Sequence, residues 1–124
     1  MSERIPAQIH TSEAWMIKSE NTDQEYRISV SLPASYDHEP EKNYPTVYMV
    51  DGNVFYEMVT GAARLMAMSG LIPEVIIVSV GYPLDGLYGA DWLQFFVRRS
   101  RDLTSVVDTR YEEFVHALVN DPRR

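Results

Sequence analysis

Two unbroken apolar runs constrain this chain more than any other feature. Thr46-Val47-Tyr48-Met49-Val50 halts at Asp51-Gly52-Asn53, and Val75-Ile76-Ile77-Val78-Ser79-Val80 closes at Gly81-Tyr82-Pro83. Neither shows polar alternation, so both read as strands covered on two faces, which makes them parallel and central. Between them the apolar spacing turns helical. Phe55, Met58, Val59, Ala62, Leu65 and Met66 fall on one face, which predicts a helix near residues 53–68. Asn53 is the expected N-cap, with Glu57 in the first turn where the helix dipole favours an anion. Gly61 costs about 1 kcal/mol relative to alanine inside a helix, so close packing on a sheet is its expected reason. Ser69-Gly70 and Pro73 end the element. Strand, helix, strand is a right-handed crossover unit.

Upstream, Tyr26, Ile28, Val30 and Leu32 alternate with Arg27, Ser29 and Ser31, as in a half-buried strand. Ala14–Lys18 precedes it, and Asn21, Thr22 and Asp23 supply turn chemistry between the two, so a hairpin is expected. Pro33–Asn43 reads as a polar loop. The fold class is therefore α/β, an antiparallel hairpin leading into parallel strands with a crossover helix. Downstream, Gly86–Val107 is less regular, with Trp92, Phe95 and Phe96 beside arginines. Tyr111, Phe114, Val115, Leu118 and Val119 form the stripe of a last helix, with Thr109 and Glu112 at capping-box spacing and Pro122 after its end.

A length of 124 residues fits one domain. The formal charge of -7 argues against nucleic acid, because phosphate binding needs a basic surface. The charge is uneven: residues 1–62 carry ten acidic and four basic side chains, whereas 63–124 carry eight and seven. The late arginines, Arg98, Arg99, Arg101, Arg110, Arg123 and Arg124, read as a solvated face. With no cysteine there is no disulfide and no thiolate nucleophile or metal site, which suits a reducing compartment. No export signal and no apolar run near the ~20 residues of a membrane helix is present. A soluble, cytoplasmic protein without membrane association is expected.

In open α/β sheets, ligands bind beyond the carboxyl ends of the strands. Here those ends are Asp51-Gly52-Asn53 and Gly81-Tyr82-Pro83. The first opens a helix, so the backbone N–H groups of Gly52 and Asn53 would face the cleft and could hold a phosphate, a carboxylate or an oxyanion. The same three residues are also ordinary turn chemistry. Neither stock phosphate loop occurs. Ser79 lacks the glycine before it and the helix after it that a nucleophile elbow requires, so it reads as a strand serine. His10, His38 and His116 are scattered and have no partners at ligand spacing, so no metal site is expected and all three read as surface residues. Asp102, beside Arg99 and Arg101, reads as part of an ion-pair cluster.

Four segments in order resemble one family. They are Ile28-Ser29-Val30-Ser31-Leu32-Pro33-Ala34-Ser35-Tyr36, Tyr44-Pro45-Thr46-Val47-Tyr48-Met49-Val50-Asp51-Gly52-Asn53, Pro73 through Pro83, and Arg98-Arg99-Ser100-Arg101-Asp102-Leu103-Thr104. Together they resemble the enterochelin and salmochelin esterase branch of the α/β-hydrolase superfamily, over residues 8–105. The resemblance implies a serine esterase acting on small-molecule carboxylic esters without a cofactor. It makes Gly52 and Asn53 the oxyanion-hole donors, with Asp51, Tyr82, Arg101 and Asp102 bordering the site. The family's Gly-x-Ser-x-Gly elbow follows the Arg-Asp-Leu-Thr segment, and its acid and histidine come later still. None is found before Arg124, so no catalytic residue is assigned.

Residues 1–124 then correspond to a single partial α/β-hydrolase domain, the N-terminal part of the sheet, lacking the nucleophile-elbow half. Self-association or a complementary C-terminal fragment is expected to cover its open edge. Two other readings stand beside this one: a non-catalytic module that associates through that edge, and a flavodoxin-like binder of a small anion or nucleotide. The missing phosphate loop counts against the last.

Overall fold

The structure, a computed structural model, describes residues 2–106 and 108–121. The chain falls into two compact units, Met1–Pro83 and Leu84–Arg124. The first holds strands β1 (Ser12–Ser19), β2 (Gln24–Ser31) and β3 (Thr46–Met49), helix α1 (Gly52–Met68) and strand β4 (Ile76–Gly81). The second holds helices α2 (Ala90–Leu103) and α3 (Thr109–Val119).

The expected hairpin forms: β1 and β2 pair antiparallel from Ser12↔Ser31 to Ser19↔Gln24. Asp23 takes a left-handed conformation in its turn, and Lys18 reaches Asp23 at 2.8 Å. The strand order β1-β2-β4-β3 makes a mixed sheet. β4 runs antiparallel to β2 and parallel to β3, in register from Thr46↔Ile76 to Met49↔Ser79. β3, α1 and β4 are thus the expected crossover unit. β4 is central, as its unbroken apolar run implies. β3 is not: it is the sheet edge, Tyr48 is 76% exposed and Val47 is exposed beside it. An apolar run reports a strand built for cover on both faces, and the first unit supplies β3 with a neighbour on one side only.

Alternation fixes which face α1 covers. Ser31, Ile77 and Ser79 are buried on the α1 side. Trp15, Ile28, Val30, Tyr48, Val78 and Val80 share the opposite face through their register. The buried residues of α1 are Tyr56 and Thr60, and Tyr56 Oη donates to Ser12 Oγ at 2.9 Å. The helix therefore packs through small and polar residues. Its apolar stripe points elsewhere: Phe55, Met58, Leu65 and Met66 are exposed, Leu65 by 68%.

Four local expectations need correction. The N-cap of α1 is Asp51, not Asn53, and its side chain makes no capping bond. Because the helix starts at Gly52, Glu57 lies beyond the first turn, which carries no acid. Gly61 faces open space, with no atom within 4 Å of where a Cβ would stand, so sheet packing does not explain it. The N-cap of α3 is Asp108, whose carboxylate accepts from the backbone N–H of Arg110; Thr109 is already helical.

The second unit adds an element the sequence pattern concealed. Residues 90–103, read as irregular, form α2 around the buried Phe95. Trp92 meets Phe96 edge-on at 4.6 Å and stacks on Phe95 at 6.0 Å. In α3, Tyr111, Val115 and Leu118 are half-buried, while Phe114 is exposed. Pro122, Arg123 and Arg124, and the side chain of Val119, lie outside the described residues.

Candidate active site

The carboxyl ends of β3 and β4 point the same way because the strands are parallel, and the residues that follow meet there. Asp51 turns the chain from β3 into α1 with φ 58° and ψ 35°, a left-handed conformation that costs a non-glycine residue about 1–2 kcal/mol. Its carbonyl accepts from Val54 N at 3.0 Å and Phe55 N at 3.1 Å, which closes the first helical turn. Gly52 and Asn53 are the first two helical residues, so their N–H groups precede any intrahelical acceptor. Neither has an acceptor among the described residues.

The turn is held from both sides. Asn53 Nδ2 donates to the Tyr82 carbonyl at 2.8 Å, and the Tyr82 N–H donates to Asn53 Oδ1 at 2.7 Å. One side-chain amide thus uses both its ends on the residue following β4. Two glycines make this approach feasible. A Cβ on Gly52 would stand 2.0 Å from Ser79 Oγ, and one on Gly81 would stand 2.7 Å from Asn53 Oδ1. The Tyr82 side chain is buried, its ring 6.0 Å from that of Tyr26.

Asp51, Gly52, Asn53 and Tyr82 are therefore brought together. Arg101 and Asp102 belong to the second unit, at the end of α2, where Arg101 Nε donates to Asp102 Oδ1 at 2.6 Å. His10, His38 and His116 are all exposed. Ser79 is the strand serine expected, 1% exposed, with its hydroxyl unpartnered. Among the described residues no group of three His, Asp or Glu side chains could hold a metal ion. No helix among them is long and apolar enough to cross a membrane. Sequence reasoning missed the Asn53–Tyr82 clamp. The helical spacing points to Asn53 as a cap, and nothing local to it points to Tyr82.

One other cluster superficially resembles an activated serine. Ser35 Oγ donates to Glu74 Oε2 at 2.5 Å, and its N–H donates to Oε1 at 3.2 Å. Lys42 Nζ lies 2.8 Å from Glu74 Oε2 and 2.6 Å from Glu39 Oε2. The hydrogen bond from Lys42, then that from Ser35, lowers the Glu74 pKa to about 2. Bonds to Glu39 and then Glu74 raise Lys42 above its ordinary range. A general base works best with a pKa near the operating pH. A carboxylate this acidic and a lysine held protonated cannot take the Ser35 proton at neutral pH, so the cluster is a tie between loop 33–45 and the entry to β4.

The tie has a definite pH dependence. The folded-state pKa of Glu74 is depressed, so its contribution to stability is present above the ordinary glutamate value of 4.5 and is lost as pH falls towards about 2. The raised Lys42 contributes below the ordinary lysine value of 10.5 and loses that contribution as pH rises above it. The carboxyl ¹³C shift of Glu74 should titrate near pH 2, and the Ser35 amide should lose exchange protection in step. In Glu74→Gln that acid transition at Ser35 should be absent.

Comparison with known proteins accords with this geometry. The sequence profile of the Esterase family, described as "Putative esterase", matches residues 19–119. The chain is 36% identical over 103 residues to the siderophore triacetylfusarinine C esterase of Aspergillus fumigatus, covering 80% of this chain and 33% of that protein. It is 33% identical over 75 residues to the ferri-bacillibactin esterase of Bacillus subtilis, covering 57% of this chain and 25% of that one. Among solved structures, the siderophore hydrolase EstA of Aspergillus nidulans superposes with a TM-score of 0.64 at 26% identity, over 87% of this chain and 35% of its own. The BES protein of Bacillus cereus superposes at 0.59 with 28% identity, over 74% of this chain and 35% of its own. The chain thus spans a quarter to a third of the length of its curated relatives. With the family profile matched over residues 19–119, most of its length, the chain belongs to the Esterase family.

Proposed function

We propose that this chain forms the oxyanion side of a serine ester hydrolase for small-molecule carboxylic esters. The observation carrying the reading is the turn at Gly52 and Asn53. Two backbone N–H groups without acceptors are fixed there by the Asn53–Tyr82 clamp, at the carboxyl ends of two parallel strands. Preorganised donors of this kind stabilise the charge that develops on a carbonyl oxygen under attack. Asp51 and Tyr82 border that position. Both of those relatives are named as siderophore esterases, so an ester-linked siderophore is the substrate class favoured. No cofactor is required by this chemistry, and a cysteine-free chain suits the cytoplasm.

The sequence contains no Gly-x-Ser-x-Gly elbow. On this reading residues 1–124 are one partial α/β-hydrolase domain, and the nucleophile, histidine and acid come from a complementary C-terminal part. The exposed edge of β3 and the apolar sheet face opposite α1 support a partner surface, whether for that part or for a second copy. Sedimentation should show mass rising with concentration; a monomer throughout, with well-dispersed spectra, would contradict this.

The catalytic test uses a serine-directed fluorophosphonate. The 124-residue chain alone should take up no label and turn over activated esters negligibly. Joined to the C-terminal part of a related esterase, beginning before its elbow, the protein should label once, at the elbow serine, and hydrolyse esters. Stoichiometric labelling of the isolated chain at Ser35, Ser69, Ser79 or another serine would overturn the proposal. So would a folded but inactive joined protein.

A further inference from the structure

Opposite the residues that pack α1 on the sheet, the helix carries a second seam. Val54, Met58, Gly61, Leu65 and Met68 follow one another at spacings of four, three, four and three. That alternation is the pattern by which a helix meets one partner helix along its length. All five are exposed, Met58 by 62% and Met68 by 86%. Nothing lies within 4 Å of where a Cβ on Gly61 would stand. Two heptads are too few for a free-standing coiled coil, but they are enough for a contact between folded domains.

The flanks of the seam decide what fits it. Glu57 and Arg64 each precede a seam residue on one side, and Phe55 and Ala62 each follow one on the other. A second copy of α1 laid antiparallel, with the two-fold axis between residues 59 and 60, gives every one of these a complement. Met58 then faces the partner's Gly61, Val54 the partner's Leu65, and Phe55 the partner's Ala62. Glu57 faces the partner's Arg64. Each contact occurs twice, because a two-fold interface is self-complementary. Large side chains fall on small ones, and the flanking charges pair with opposite sign. In a parallel pair Gly61 would face Gly61 across a gap, and Glu57 would lie beside Ala62. Neither charge is answered within its own chain. Among the described residues Glu57 and Arg64 form no ion pair, and Arg64 Nη2 donates only to neutral oxygens of His10, Thr11 and Ser31.

We propose that this face of α1 is a homodimer contact, covered by a second copy of this chain packed antiparallel along Val54, Met58, Gly61 and Leu65. One helix pair buries well under the ~1,600 Å² of a standard interface, so the dimer is weak, with a dissociation constant on the order of 10–100 μM. The contact uses neither the β3 edge nor the N–H groups of Gly52 and Asn53, so it stands apart from the esterase reading.

The test uses the 124-residue chain, whose lack of cysteine makes introduced thiols specific reporters. Sedimentation equilibrium between about 5 and 500 μM should show a monomer–dimer equilibrium. Leu65→Glu should raise the dissociation constant at least about tenfold, because it sets an unpaired charge against an apolar residue of the partner. At about 5 μM, where the parent is monomeric, its thermal midpoint should match the parent's, since Leu65 is 68% exposed. Glu57→Arg should weaken association about tenfold by facing two arginines with two more. Helix direction is read by mixing Val54→Cys and Leu65→Cys chains under oxidation. The mixed disulfide should far outnumber either like pair, because only unlike positions come within the ~7 Å Cα separation that a disulfide spans. A monomer throughout would overturn the proposal, as would Glu57→Arg without effect or disulfides in statistical proportion. A dimer as tight in Leu65→Glu as in the parent would also overturn it, and would move self-association to the β3 edge.

Discussion

Gly52→Ala should destabilise the chain by about 3 kcal/mol, at the upper end of ordinary overpacking. The added Cβ would stand 2.0 Å from Ser79 Oγ and 3.2 Å from the Val80 carbonyl oxygen. The Val80 carbonyl is backbone of the central strand β4, Ser79 Cβ lies 3.3 Å away, and Gly52 is held by the turn it opens. Ser79→Ala alone should be close to neutral, because the hydroxyl it removes is buried without a partner. Combined, the two changes should recover much of the loss but not all, since Ser79 Cβ would still be 3.3 Å away. Urea midpoints for the four proteins of this cycle give the coupling directly. A Gly52→Ala protein as stable as the parent would show that α1 does not approach β4 this closely.

Asn53→Ala should cost about 2–4 kcal/mol, because one truncation removes two part-buried hydrogen bonds to the Tyr82 backbone at once. The magnitude separates a clamp from a cap. Losing an N-cap costs about 1 kcal/mol and weakens the helix alone. Losing the clamp should also raise amide exchange at Tyr82, 29 residues away in sequence. Exchange at Tyr82 unchanged in Asn53→Ala would contradict the clamp.

These two positions show what the sequence discloses and what it hides. The β2 alternation and the β4 run were legible because a strand's burial follows from its own side chains. The face that α1 turns to the sheet was not. Its large apolar residues, Phe55, Met58 and Leu65, suggest one face, while the helix packs through Tyr56 and Thr60 on another. Apolar spacing reports where a helix wants cover, and the sheet is only one claimant. Helix α2 was hidden for a related reason: it begins at Gly89 with no side-chain cap and is rich in charge, so only Trp92, Phe95 and Phe96 mark its inner side. At the site, the Gly52 and Asn53 donors could be read from a strand halting at a glycine turn. The partner of Asn53 could not, because nothing local to residue 53 points to Tyr82.

The family assignment sets the kind of chemistry to test, and the role proposed for the turn says where to test it. The most direct measurement replaces the backbone amide N–H of Gly52 and Asn53, one at a time, with an ester oxygen in the joined, active protein. This removes a donor without adding a side chain against Ser79. If these N–H groups stabilise the oxyanion, each replacement should lower kcat by about 10²–10³-fold while leaving KM nearly unchanged. Full activity with both N–H groups removed would contradict the account.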